Sequence, residues 1–315
     1  MARRLLITGA AGFAGSHLLE RAAAAGDQVT AWSRTPRTPP VGAPARWVAV
    51  DVVDRTAVER AIADCPPELV YHCAGVAQSA GAEGRIGATF ATNVGGTAHL
   101  LDALERHAPD ARVVVTSSAL VYRQSEHVLT EQSPLGPAGP YAVSKLAQDM
   151  LARRAAGRGL HVVVARPFNH IGPRQSPDFV ASSVARQVAL IERGHGPATL
   201  TVGNLAARRD FTDVRDVVDA YLRLAATAPA GECVNVCSGR AVAIADLVQG
   251  LVRRSRVPID VVVDPARFRP VDVPVVVGTA ARLAALTGWA PTRPLEQTLD
   301  DLLAWWREEL ARTPA

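Results

Sequence analysis

Eight residues near the start of the chain limit its fold more than any other stretch: Thr8-Gly9-Ala10-Ala11-Gly12-Phe13-Ala14-Gly15. A short apolar run, Leu5–Thr8, precedes them, and an alanine- and leucine-rich segment, Ala14–Ala25, follows. Glycines at this spacing between a strand and a helix suit a dinucleotide-binding turn. Gly9 permits the tight turn, Gly12 lets backbone approach a pyrophosphate, and Gly15 lets helix pack closely on strand. The helix N-terminus then offers free N–H groups to the anion. Phe13 lies in the same loop and is assigned with the glycines to the cofactor site.

The pattern downstream agrees. Apolar runs predict strands at Val29–Trp32, Arg46–Val50, Leu69–His72, Arg112–Thr116 and His161–Arg166. Helical segments fall between them, near Thr56–Cys65 and over Asn93–His107 and Tyr141–Ala156. Strand and helix in alternation imply an α/β fold: a doubly wound parallel sheet of Rossmann type, with helices on both faces. The second half is less regular. Helices are expected at Val180–Arg193, Val214–Ala226, Ile244–Arg254 and Leu295–Leu310, with strands at Leu200–Val202, Cys233–Val236 and Ile259–Val263. We assign residues 1–165, with a return at about 214–238, to the nucleotide-binding domain, and residues 166–213 and 239–315 to a smaller substrate-binding lobe.

The end of the second strand bears on which dinucleotide binds. An NAD site usually carries a carboxylate there, on the ribose 2′-OH. This chain reads Trp32-Ser33-Arg34-Thr35-Pro36-Arg37, with no acid. Ser33 and Arg34 instead suit a 2′-phosphate, which predicts NADP(H). Asp51 and Val52, just after the third strand, are placed at the adenine, and Ala74, after the fourth, beside the cofactor.

Tyr141 and Lys145 are four residues apart on one predicted helix, so their side chains share a face. Pro140 suits the helix start. A neighbouring ammonium favours phenolate and is expected to lower the Tyr141 pKa, so that the phenol exchanges a proton with a sugar oxygen. Ser118, at a strand end, supplies a hydroxyl to hold that oxygen. Composition sharpens the point. The chain has 33 arginines and one lysine, Lys145. A site that keeps an ammonium in so arginine-rich a chain needs a compact, tunable charge.

Composition also excludes. The net charge is +4, but the arginines are scattered and aromatic content is 5%, which does not make a nucleic-acid platform. Four cysteines without a CxxC pair are read as small core residues, and eight histidines without an HExxH pattern predict no metal site. No run is long enough to span a membrane, and the N-terminus lacks a signal-peptide pattern, which predicts a cytoplasmic protein.

Together, the glycine loop, the Ser118/Tyr141/Lys145 set and Asn93 within Thr92-Asn93-Val94-Gly95-Gly96-Thr97 resemble the extended short-chain dehydrogenase/reductases. The second half is similar to the GDP-4-keto-6-deoxy-D-mannose reductases of that family. The similar stretches are Phe168–Pro173, Val202–Leu205, Arg209–Asp216, Asn235–Gly239 and Arg269–Pro274. The resemblance implies that Asn93 serves the cofactor site and that Asn169 contacts the sugar-nucleotide diphosphate. It further implies that Arg209 and Arg269 clamp the phosphates, that Asp272 binds the nucleoside ribose, and that Asn93–His107 and Tyr141–Ala156 build a four-helix homodimer interface.

Three reactions share this framework. Related dehydratases carry a Glu two residues past the catalytic hydroxyl; here Ala119 and Leu120 follow Ser118, which argues against dehydration. Epimerases usually keep NAD, whereas the predicted NADP(H) preference favours net reduction. The expected activity is reduction of a nucleoside-diphosphate 4-keto-6-deoxyhexose. GDP-4-keto-6-deoxymannose is favoured, with a dTDP-linked substrate and 4-epimerisation as alternatives. A pure NADP(H)-binding role is disfavoured because Tyr141 and Lys145 are both present.

Overall fold

The computed structural model describes residues 3–35, 44–77, 85–268 and 273–312. Its centre is a parallel sheet of seven strands. The first three, β1 (Arg4–Thr8), β2 (Gln28–Ser33) and β3 (Arg46–Ala49), are separated by helix α1 (Phe13–Ala24) and a loop. Helix α2 (Arg55–Asp64) leads to β4 (Leu69–His72). Helices α3 (Ile86–Phe90) and α4 (Gly96–His107) lead to β5 (Arg112–Thr116), and α5 (Pro140–Gly157) to β6 (His161–Pro167). Strand β7 (Asn169–Ile171), helix α6 (Val180–Glu192), strands β8 (Thr199–Val202) and β9 (Arg208–Asp213) and helix α7 (Val214–Thr227) intervene before β10 (Cys233–Val236). The sheet order is β10-β6-β5-β4-β1-β2-β3, every pair parallel. The order reverses between β1 and β4, where ligands bind in doubly wound sheets, beyond the strands' carboxyl ends.

Fully buried runs such as Val162–Ala165 follow from helices on both faces. One apolar layer joins the sheet to α1 and α7 through Leu18, Leu19, Val217 and Tyr221; the other joins it to α2, α4 and α5 through Ile62, Leu100 and Ala152. Strand β11 (Ala241–Ala243), helix α8 (Ile244–Val252), strands β12 (Asp260–Val263) and β13 (Val275–Val276) and helices α9 (Ala281–Thr287) and α10 (Leu295–Arg312) complete the chain. A third apolar cluster packs α6, α8 and α10 around Val188, Leu247, Leu302 and Trp306. Strands β7, β11 and β13 all pair with β9 in a small sheet beside it. Helix α9, which the sequence reading placed in the second lobe, packs instead on the main-sheet side, where Leu283 and Trp289 join the first cluster.

Two expectations need correction. The helix predicted to begin at Asn93 begins at Ile86, passes through a five-residue π-turn, Ala91–Gly95, and continues as α4. Glycines at 87, 95 and 96 obscured its helical pattern, and Asn93 sits inside the widened turn. The cysteines are free, but only Cys237 is buried; Cys65, Cys73 and Cys233 are half-buried. Cys73 lies one residue past β4 and packs, partly buried, against the edge of the first apolar cluster, as Cys233 does against the second.

Candidate active site

The glycine loop has the geometry its spacing predicts. Gly9 has φ +67°, and a Cβ there would stand 2.7 Å from the Ala74 nitrogen. A Cβ on Gly15 would collide with the Gly9 carbonyl oxygen. Gly15 therefore lets the loop fold back on the helix, a closer partner than the strand that the sequence suggested. The N-cap of α1 is Gly12, without a side-chain cap, and the first turn holds no acid. Its N–H groups are thus left for an anion. Half-buried Phe13 stacks on His170, ring centroids 5.5 Å apart, which ties the loop to β7. These features fit a bound dinucleotide.

At the end of β2, the Ser33 hydroxyl donates to the Thr35 carbonyl at 2.6 Å, and Arg34 is exposed. Among the described residues of that strand end, Ser33 to Thr35, there is no carboxylate. The exposed Asp51 carboxylate accepts the Val53 N–H at 3.1 Å, and the helix cap of α2 is Asp54. Val52 is buried against Gly96 at the start of α4.

Ser118, Tyr141 and Lys145 come together between β5 and α5. Ser118 accepts the Leu120 N–H at 3.2 Å, and its hydroxyl bonds the Tyr141 phenol. Pro140 is the first residue of α5, preceded by Gly139 at φ +83°. Asn93 anchors that first turn. Its Nδ2 donates to Ser144 Oγ at 2.9 Å, which donates to the Tyr141 carbonyl at 2.7 Å. Asn93 Oδ1 accepts the Val76 N–H at 2.8 Å. Ala74 lies alongside, its N–H donating to Thr8 Oγ1 at 3.1 Å.

The electrostatics differ from the expectation. Burial raises Tyr141 to about 12, opposed by the Ser118 hydrogen bond, so the phenol keeps its proton. Lys145 does not pull it down. Its Nζ donates to the Thr116 carbonyl and to Gln148 Oε1, each at 2.7 Å, and burial lowers its own pKa to about 8. Desolvation works against charge on both groups. The site therefore holds a neutral phenol and an ammonium whose charge burial opposes and two hydrogen bonds support.

Beneath it, Arg166 on β6 and Asp149 on α5 form a buried ion pair at 2.7 Å. Arg166 also donates to the Tyr122 hydroxyl at 3.0 Å, and Tyr122 to Asn235 Oδ1 at 2.7 Å. This network clamps the catalytic helix to the sheet. Sequence reasoning missed it. An acid four residues past Lys145 and an arginine in an apolar strand were its only signals.

On the substrate side, Asn169 is exposed at the start of β7, next to β9. Arg209 on β9 donates to the Arg208 and Val273 carbonyls at 2.8 and 2.7 Å, tethering the segment after Arg269 and Asp272. Arg269 and Asp272 lie outside the described residues. The acids of Arg209–Asp216 turn inward. Asp210 accepts from Ser238, Gly239 and Gly278; Asp213 caps α7; Asp216 holds Thr292 and Arg293. The motif fastens the fold, and Arg209 is its one partly exposed cation on β9 besides the exposed Arg208. Among the described residues, no group of three His, Cys, Asp or Glu is placed to hold a metal, and no helix is long and apolar enough to cross a membrane.

The chain is similar to known proteins over nearly its whole length. The family model described as "NAD dependent epimerase/dehydratase family" matches residues 5–237. GDP-6-deoxy-D-mannose reductase from Pseudomonas aeruginosa is 38% identical over 317 residues, covering 98% of this chain and 99% of that protein. A UDP-glucose 4-epimerase from Streptomyces lividans is 28% identical, covering 97% and 96%. The structure of RMD from Pseudomonas aeruginosa complexed with NADPH matches with a TM-score of 0.86 at 34% identity, covering 98% of this chain and 100% of that one. The chain belongs to the NAD dependent epimerase/dehydratase family, the extended short-chain dehydrogenases, as a nicotinamide-dependent oxidoreductase built on a Rossmann sheet.

Proposed function

We propose that the chain reduces the C4 ketone of a nucleoside-diphosphate 4-keto-6-deoxyhexose, GDP-4-keto-6-deoxymannose before others, with NADPH. The observation that carries this is the neutral Tyr141 phenol bonded to Ser118, with Ala119 and Leu120 next along the chain. A ketone being reduced needs a proton on its oxygen, which the phenol holds. Dehydration would need a carboxylate after Ser118, where Ala119 and Leu120 stand. The similarity to GDP-6-deoxy-D-mannose reductase supports the choice of substrate.

The residues divide the work as follows. Gly9, Gly12, Phe13 and Gly15 receive the pyrophosphate; Ser33 and Arg34 the 2′-phosphate; Asp51 and Val52 the adenine; and Ala74, with Asn93 behind it, the nicotinamide side. Bound NADPH supplies a hydride. Ser118 donates a hydrogen bond to the substrate carbonyl oxygen and fixes its direction. Tyr141 gives its proton to that oxygen as charge develops there. Lys145 binds the nicotinamide ribose through its ammonium. Asn169, Arg209 and Arg269 hold the diphosphate, and Asp272 the nucleoside ribose. We divide the chain into a nucleotide domain (1–165 and about 214–238, with α9 and Trp289 packed on it) and a substrate lobe formed by 166–213 and the rest of 239–315. It pairs with a second copy through α4 and α5, where the exposed Val143 and Met150 lie on one helix. Four free cysteines suit the reducing cytoplasm.

The test is NADPH oxidation by the purified protein with freshly generated GDP-4-keto-6-deoxymannose, beside dTDP-4-keto-6-deoxyglucose and an NADH control. Rapid turnover with the GDP sugar and NADPH is expected. Turnover with the dTDP sugar alone would replace the base. The epimerase relative supports a second reading, in which the hydride returns to the sugar and NADPH is not consumed.

A further inference from the structure

Around Lys145 runs a chain of buried polar groups whose hydrogens can be assigned in one way only. An ammonium only donates, so Gln148 must turn its carbonyl to Lys145 and its amide to Thr97 Oγ1, 2.8 Å away. Thr97 spends its own proton on the Asn93 carbonyl at 2.6 Å. Its remaining lone pair faces His72 Nε2 at 2.9 Å, which must therefore carry a hydrogen. His72 is fully buried and neutral, held down to about 3 by burial and the nearby ammonium. Its Nδ1 is then a bare acceptor for the Thr8 hydroxyl at 2.8 Å, and Thr8 Oγ1 accepts the Ala74 N–H. The chain thus runs from the glycine loop to the Lys145 ammonium, each link a donor facing an acceptor.

We propose that Gln148, locked by Thr97, His72 and Thr8, is a positioning residue that sets the direction and the proton equilibrium of the Lys145 ammonium. The groups that act on the Lys145 ammonium are Gln148 from α5, the Thr116 carbonyl from β5, and His72 and Cys73 from β4 and its exit. The Cys73 thiol is pushed up to about 12 and stays neutral. No carboxylate bonds Lys145 among the described residues. A neutral amide carbonyl supports the charge without neutralising it. It also carries no proton onward, so the chain holds the ammonium and does not feed it. The consequence for turnover rests on the reductase reading; the control of the ammonium does not.

The single lysine makes the test direct. Protein labelled with 13Cε-lysine gives one side-chain signal, whose pH midpoint is the Lys145 equilibrium in the intact chain. Gln148→Glu places a carboxylate on the ammonium and is expected to raise that midpoint by a pH unit or more, about a tenfold change. Gln148→Met removes the acceptor and is expected to lower it. The alkaline limb of NADPH-dependent turnover should follow the signal in each protein. Melting curves establish that each variant is folded, and either variant suffices if the other is not. An unchanged midpoint in a folded variant, or shifts of the same sign in both, would overturn the proposal. Shifted midpoints in a protein without ketoreductase activity would leave it standing and overturn the reductase reading.

Discussion

Tyr141 and Lys145 show how little of a residue's state its identity fixes. Their i, i+4 spacing reads directly from the sequence. Their protonation does not, because it depends on how much water the fold removes. With the phenol held protonated and the ammonium close to losing its proton near pH 8, reduction should slow as the pH rises through that value. Tyr141→Phe should lower kcat by about two to four orders of magnitude and leave NADPH affinity within a few-fold, by fluorescence titration. Buried histidines give a separate signature. His17 and His72 sit at about 4 and 3, below the ordinary value of 6.5. The unfolded chain therefore binds protons that the folded one refuses between pH 6.5 and those values, and stability rises with pH across that window. Their contribution is complete above pH 6.5 and is lost as the pH falls toward 4 and then 3. Urea unfolding at pH 7 and pH 5 should show the lower midpoint at pH 5. Equal midpoints would mean that these rings titrate normally.

At the scale of elements, strands and helices of the first half were legible because each carries its own periodicity, and Leu69–His72, Arg112–Thr116 and Cys233–Val236 were placed to the residue. Strands β7, β9 and β11 were missed. β7 and β11 have only three residues each and form because β9 gives them a partner, and β9 itself reads as a largely charged run, so no local pattern announces them. The loop after β7 carries a related lesson. Arg174 adopts φ +73°, a left-handed conformation that costs a side chain about 1 kcal/mol. Its guanidinium grips Glu20 at 2.7 Å and meets His17 Nδ1 at 2.5 Å, binding the loop to α1. Arg174 is thus a strut between that loop and α1. The Asp149–Arg166 pair does comparable work for α5. Asp149→Leu strands a buried guanidinium and should cost about 3–5 kcal/mol in urea unfolding. A loss under about 1 kcal/mol would show that water reaches Arg166.

Over the whole molecule, two apolar layers cover the central sheet and a third cluster packs α6, α8 and α10. The nucleotide half was readable because a glycine loop followed by a helix is a local device. The substrate half was named by resemblance and built by long-range contacts. Asp210, Asp213 and Asp216 are spent on fastening segments as distant as Ser238, Thr298 and Thr292. What the assembled site predicts is a net reduction. The most direct measurement uses NADPH carrying deuterium at the transferable position of the nicotinamide, with GDP-4-keto-6-deoxymannose, and reads the product by mass and NMR. The account predicts one NADP+ released per sugar, with the deuterium on C4. A rearranged sugar without deuterium and without net NADPH consumption would contradict it.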